Sequence, residues 1–221
     1  MTIPERLKYL AGTVPASVTI VAVSKTMDPG MIMEAYNAGQ RIFGENKVQE
    51  LISKQPLLPS DIRWHFIGHL QRNKVRFIIP FIHLIHSVDS LRLLEEINKE
   101  AAIAGRIIGC LLQFHISGEE SKYGLDFREA CLLLESSEFS EMKNITLNGV
   151  MGMASFTDDE ARIRTEFRQL RKYFDMLKES RFVSVPGFKE ISMGMSGDYP
   201  VAIEEGSTII RIGTAIFGDR T

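Results

Sequence analysis

Eight short runs rich in Val, Ile and Phe, separated by stretches of helical period, most restrict the folds open to this 221-residue chain. The runs are Val18 to Lys25, Arg41 to Glu45, Arg63 to His69, Leu84 to Val88, Ile107 to Ile116, Leu147 to Ala154, Glu190 to Met195 and Thr208 to Gly213. Between them the period predicts helices over Pro29 to Ala38, Val48 to Ser53, Gln71 to Ile78, Ser90 to Ala104, Phe127 to Ser136, Asp158 to Lys178 and Ala202 to Glu205, while the few residues before the first run confine any leading helix to Glu5 to Ala11. In the sixth, Ile163, Phe167, Leu170, Phe174 and Leu177 draw one apolar stripe. Asp158 and Asp159 stand at its start, where carboxylates favour the positive end of the helix dipole. Both alternations of Val18-Thr19-Ile20-Val21-Ala22-Val23 lack a consistently polar face, which suits a parallel strand covered by helices. The α/β order therefore predicts a closed (β/α)8 barrel, with an open doubly wound sheet as the alternative. No GxGxxG follows the first run, and no phosphate-loop lysine motif occurs. Nothing reads as a linker, so one domain over residues 1–221 is expected.

Composition narrows the partners. A formal net charge of −2 gives no electrostatic reason to expect nucleic acid. Cys110 and Cys131 form no metal-like or redox spacing, so a disulfide scaffold is not expected and a reducing cytoplasm is. The opening MTIPERLKYL carries charges where a signal peptide needs its apolar stretch. The longest apolar run, Phe77 to Ile85, contains Pro80 and His83 and is too short to span a bilayer.

In either α/β architecture, function gathers beyond the carboxyl ends of the strands. Lys25 ends the first run, where desolvation disfavours its ammonium form and a Schiff base with a carbonyl becomes accessible. A lysine that snorkels to water is the alternative. In barrels a phosphate frequently binds at the loops after strands 7 and 8. Here those loops are Gly194-Met195-Ser196-Gly197 and Gly213-Thr214, each with small residues and a hydroxyl. Arg211 lies among Ile209, Ile210 and Ile212 and needs a partner, either a ligand or a core carboxylate such as Glu45 or Glu190. An aldehyde-reactive lysine, a phosphate cradle and a buried arginine together suggest pyridoxal 5′-phosphate. An always-charged arginine at its ring nitrogen would weaken it as an electron sink. His65 and His69, four apart on one predicted strand, would share a face, but with no third ligand a metal site is not expected. Met151, Met153, Met193 and Met195 flank glycines at strand ends and are candidates for a pocket wall. Lys122 reads as a solvated loop lysine.

Several blocks resemble the pyridoxal phosphate homeostasis proteins. They are Val21-Ala22-Val23-Ser24-Lys25-Thr26, Phe43-Gly44-Glu45-Asn46, Trp64 to Gln71 with Lys74, His86-Ser87-Val88-Asp89, Ser117 to Lys122, Gly149 to Ala154, Ser192 to Ser196, and Arg211 to Gly218. The resemblance runs through essentially the whole chain in order. It implies a fold type III barrel similar to the N-terminal domain of alanine racemase, with a cofactor Schiff base on Lys25. It further implies phosphate contacts at Ser196, Gly213 and Thr214, Arg211 beside the pyridine nitrogen, and Asn46 as a pocket residue. Lys122 matches a lysine linked to a second cofactor-handling path in some members.

The family is regarded as binding the cofactor and supporting its homeostasis without established turnover. Racemases of this fold type add a second acid/base from a separate domain, and 221 residues spent on the barrel leave none for it. The expectation is therefore a carrier of pyridoxal phosphate, monomeric or weakly dimeric, with apoenzymes that use the cofactor as candidate partners and no membrane role. A minimal amino-acid racemase and a Schiff-base aldolase of phosphorylated sugars are the enzymatic alternatives.

Overall fold

A computed structural model describes residues 1–118 and 123–218. Eight parallel strands close into one barrel in sequence order: β1 Thr19–Val23, β2 Ile42–Glu45, β3 Arg63–Phe66, β4 Ile82–Val88, β5 Ile108–Phe114, β6 Ile145–Gly152, β7 Glu190–Ser192 and β8 Ile209–Ile212. The helices are α1 Ile3–Thr13, α2 Pro29–Asn37, α3 Val48–Lys54, α4 Val75–Ile78, α5 Leu91–Ile103, α6 Phe127–Glu135, α7 Ser137–Ser140, α8 Glu160–Ser180, α9 Tyr199–Glu204 and α10 Thr214–Phe217. The (β/α)8 reading holds, and the open sheet is excluded because β1 pairs with β8 in parallel, Thr19 opposite Ile209 and Ala22 opposite Ile212.

Each predicted strand is present, within a few residues at its ends. The fourth begins earlier than expected, at Ile82, and carries His83. The third ends at Phe66, so His69 lies in the following loop and does not share a strand face with His65. The expected Gln71 to Ile78 helix is a 3-10 turn, Arg72–Lys74, running into α4. The short helices α7 and α10 were not legible in the periodicity, since four residues cannot show a period of 3.6.

Local chemistry explains the helix starts. Thr2 and Glu5 form a reciprocal capping box on α1, and Asp126 and Glu129 form another on α6. Asp28 accepts from Gly30 and Met31 N–H ahead of Pro29, whose missing donor is harmless in the first turn. Asp159, one of the two carboxylates read at the start of α8, caps it by accepting from Arg162 N–H.

The core has two layers. The larger packs the outer faces of the strands against the helices and includes Phe43, Trp64, Phe66, Phe114 and the α8 stripe Ile163, Phe167, Leu170, Phe174 and Leu177. A separate cluster of Val21, Leu84, Leu111, Met151 and Ile209 fills the barrel interior. Met151 and Met153 belong to that interior, whereas Met193 packs in the outer layer and Met195 is exposed. The four methionines therefore do not line one wall.

Phe167 is fully buried at the centre of the α8 stripe. Phe167→Ala is expected to lower unfolding free energy by about 3–5 kcal/mol, measured by chemical denaturation.

Candidate functional site

The pleat decides which side chains face the barrel interior. On β8, Ile209 belongs to the interior cluster, so Arg211 and Gly213 follow it on the same face at two-residue steps. On β1, Val21 plays that part. Ser24 turns outward, donating its hydroxyl to Glu45 Oε1 at 2.7 Å, and half-buried Lys25 follows it just beyond the strand's carboxyl end. Asn46 follows β2 with the same parity as Gly44 and Ile42. Its Oδ1 is buried without a hydrogen-bond partner.

Lys25 occupies the corner of a tight turn. Met27 N–H donates to Ser24 O at 3.0 Å, and Thr26 has φ 67°, the one non-glycine in the left-handed region among the described residues. That conformation costs a β-branched residue of order 1–3 kcal/mol and persists only where neighbours over-determine it. Here α3 supplies them. Glu50 Oε2 accepts from Thr26 N–H at 2.8 Å, and Lys54 Nζ donates to Ser24 O at 2.9 Å. Lys54 is itself buried and pairs with Glu45 Oε1 at 2.8 Å, while burial pushes the Glu45 carboxyl upward against the pull of Lys54 and Ser24. Peptide groups on both sides of Lys25 are thus held by one network anchored on the buried Lys54–Glu45 pair.

Glu45 is therefore not the partner of Arg211, and neither is Glu190, which accepts from the Thr208 hydroxyl. Arg211 is 4% exposed and donates from Nη1 to Ser192 Oγ at 2.7 Å and from Nη2 to Gly152 O at 3.1 Å. Burial pulls its pKa down to about 10, which leaves it charged at neutral pH, and the Asp198 carboxylate opposes that pull. Ser192 also meets His86 Nδ1 at 2.9 Å, and His86 Nε2 meets His65 Nδ1 at 3.0 Å. Desolvation holds both histidines neutral: His65 falls to about 3, and His86 lies well below its ordinary value. His65 is thus a hydrogen-bonded core histidine. His69 instead pairs with Asp89 at 3.3 Å and stacks on Tyr123 with centroids 3.9 Å apart.

The loops after β7 and β8 converge. Gly213 N–H and Ala215 N–H both point at Ser196 Oγ, at 3.2 and 3.4 Å, so donors from the start of α10 and one hydroxyl meet at a single spot. Thr214 opens α10 beside them. Gly194 makes the approach geometrically feasible: its φ is +94°, and a Cβ there would stand 2.6 Å from Ala202 Cβ on α9. Its carbonyl accepts from Arg211 N–H at 2.9 Å, which ties the loop to the strand below the arginine. Gly68 does the same for Asn46, because a Cβ there would lie 2.2 Å from Asn46 O.

Of the residues singled out in the sequence, Lys25, Asn46, Ser196, Arg211, Gly213 and Thr214 thus all stand at the carboxyl ends of β1, β2, β7 and β8. Lys122 lies outside the described residues. Sequence reasoning missed Ser192, His86 and Lys54, and also Asp198, which accepts from Met195 N–H inside the β7 loop. Only Asp198 carried a signal, its place at the end of the glycine-rich run. A cavity of about 360 Å³ opens at the other end of the barrel, among Phe139, Met142, Ile145 and Phe182, away from these groups. Among the described residues no group of His, Cys, Asp or Glu is arranged to hold a metal. None of their helices is long and apolar enough to cross a membrane.

The residues present fit pyridoxal 5′-phosphate. The unpartnered Asn46 Oδ1, convergent N–H donors, a buried guanidinium and a half-buried lysine beyond the end of β1 match its hydroxyl, phosphate, ring nitrogen and aldehyde in kind.

Comparison with known proteins gives first the class. The family model described as alanine racemase, N-terminal domain, matches residues 2–221. A solved alanine racemase from Clostridium difficile superimposes with a TM-score of 0.74 at 14% identity, covering 99% of this chain and 57% of that one, a likeness of fold alone. Nearer relatives give the particular group. The pyridoxal phosphate homeostasis protein of Aquifex aeolicus is 40% identical over 203 residues, 91% of this chain and 86% of its own. That of Vibrio alginolyticus is 40% identical over 215 residues, 95% of this chain and 89% of its own. The structure of PipY from Synechococcus elongatus with PLP bound has a TM-score of 0.88 and 38% identity, covering 98% of this chain and all of that one. The chain belongs to the pyridoxal phosphate homeostasis protein family.

Two expectations concern stability. Lys54→Met leaves Glu45 buried without its cation and is expected to cost about 3–5 kcal/mol in denaturant melts. His65, His83 and His86 all have lowered pKa values, so below pH 6.5 the unfolded chain binds protons that the folded chain refuses. Stability is expected to fall as pH drops from 6.5 towards 4.5, above the range of the lowered carboxyls Glu50, Glu166 and Glu205. Glu45 and Asp198, raised by burial, act in the opposite sense. Urea midpoints across that window, with His83→Gln as the accessible variant, measure the balance.

Proposed function

We propose that the carboxyl-end rim of the barrel binds pyridoxal 5′-phosphate and that the protein holds and supplies or buffers this cofactor instead of turning over a substrate. The observation that carries the reading is the convergence at one rim of Lys25, the buried Arg211 and the Gly213 and Ala215 N–H groups around Ser196. The names of the relatives and the PLP bound to PipY support it. When bound, the cofactor supplies an aldehyde for Schiff-base formation and a pyridine ring able to take up electrons.

The residues then divide the work. Lys25 presents its amine from the turn that Glu50 and Lys54 hold. Ser196, Gly213 and Thr214 offer a hydroxyl and backbone donors to the phosphate, where a helix start favours an anion. Arg211 would meet the ring nitrogen as a fixed donor, and Asn46 would hold the ring substituents. An arginine there disfavours a protonated ring, which lowers the drive for α-proton removal and suits a carrier. Both cysteines are free, Cys110 buried and Cys131 half-buried, as suits the reducing cytoplasm in which the reading places the chain. Apoenzymes that take up the cofactor are the proposed partners.

Pure protein reconstituted with the cofactor is expected to show a visible Schiff-base band that survives desalting and is lost in Lys25→Ala. Transfer to an apoenzyme should outpace delivery from the same concentration of free cofactor. A colourless wild-type protein would sink the reading. Deuterium incorporation from solvent at the α-carbon of amino acids, at ordinary enzyme rates, would replace the carrier with a racemase.

A further inference from the structure

Arg211 has no carboxylate among its hydrogen-bond partners in the described residues. Asp198 acts on it only at a distance and spends Oδ1 on Met195 N–H. A buried guanidinium needs acceptors, and the structure supplies a chain of neutral ones: Arg211 Nη1 to Ser192 Oγ, Ser192 Oγ to His86 Nδ1, His86 Nε2 to His65 Nδ1. All four side chains are buried.

Counting protons gives the chain a direction. The guanidinium can only donate, so Ser192 Oγ turns a lone pair to it. The serine proton is then satisfied if it goes to His86 Nδ1. That makes His86 the Nε2–H tautomer, which donates to His65 Nδ1 and fixes His65 as Nε2–H too. One buried polar atom is left over, His65 Nε2, and this atom indeed has no partner. In the reverse polarity His86 Nδ1–H donates to Ser192, and the serine proton is orphaned as well as His65 Nε2. The forward arrangement costs one unmet group, the reverse two. It also turns every lone pair in the chain toward the positive charge, so that successive dipoles polarise one another.

We infer that Ser192, His86 and His65 are positioning residues for Arg211, a one-directional hydrogen-bond chain that holds the guanidinium in place and charged without a carboxylate. The inference deepens the proposed function, because it rests on Arg211 as the partner of the ring nitrogen. A carboxylate in the place of Ser192 would take the guanidinium's donors by charge pairing. A hydroxyl and two imidazoles accept more weakly and leave the remaining N–H groups at full donor strength. The charged and titratable groups facing the chain are Arg63 and His83 around His65, Arg211 beside His86, and Asp198 near Arg211. Burial first, and the positive charges among them second, keep both imidazoles from accepting a proton.

Nitrogen-15 NMR of the histidine side chains in the full chain without added cofactor tests the direction alone. Both buried rings are expected as neutral Nε2–H tautomers at neutral pH, and Ser192→Ala is expected to release His86 into a tautomer mixture that Ser192→Thr restores. An Nδ1–H tautomer at either ring in the wild type overturns the chain. The second arm follows the visible band of the cofactor-loaded protein with pH. Its transition is expected to move by about one pH unit, a tenfold change in proton affinity, in Ser192→Ala, in the same direction in His65→Gln, and not in Ser192→Thr. A transition unmoved in both disruptive variants overturns the positioning role. If the wild type takes up no cofactor, the proposed function fails, while the NMR arm still decides the chain itself.

Discussion

The pairing of β1 with β8 is the constraint on which the rim depends. Closing the sheet there sets Ala22 opposite Ile212, so the ends of the first and last strands leave the barrel side by side. Lys25 and Gly213, far apart in sequence, thereby face the same mouth. An open sheet of the same strands would place β1 and β8 at unrelated positions, and the lysine, the arginine and the donors of α10 would never meet. Closure also leaves an interior too narrow for solvent, filled at its base by Val21, Leu84, Leu111, Met151 and Ile209. The polar groups stacked above that base therefore have to satisfy one another.

Two polar networks carry the consequences, one on each side of the sheet. Outside, Lys54, Glu45 and Glu50 grip the turn at Lys25 and hold Thr26 in a backbone conformation that it would not choose. Inside, Ser192, His86 and His65 support Arg211. Both spend polar groups in places where apolar ones would pack more favourably. Both act on side chains that the proposed function assigns to the same ligand. A site built this way is fixed before anything binds.

Much of this was legible in the sequence because parallel strands announce themselves as apolar runs and barrels put their chemistry where those runs end. Position alone marks Lys25, Ser196 and Gly213-Thr214 as candidates, and Arg211 stands out because a charge among isoleucines is out of place. Its partner is not legible: Glu45 and Glu190 offer the matching charge, while the actual partners are a serine on the neighbouring strand and a carbonyl of Gly152. Which strands face each other across a barrel interior is a property of closure and register, and no local pattern encodes it. The same holds for Lys54, which reads as an ordinary charged residue at a helix end until the buried Glu45 is placed beneath it.

The central claim is that this barrel presents Lys25 to an aldehyde whose other end lies at the Gly213 and Ser196 donors. Borohydride reduction of the cofactor-loaded full chain, followed by peptide mass spectrometry, tests it most directly. A phosphopyridoxyl group confined to the peptide containing Lys25 is the predicted result. Labelling that falls on Lys54 or is spread over surface lysines such as Lys47 and Lys74, with Lys25 unmodified, would contradict the account.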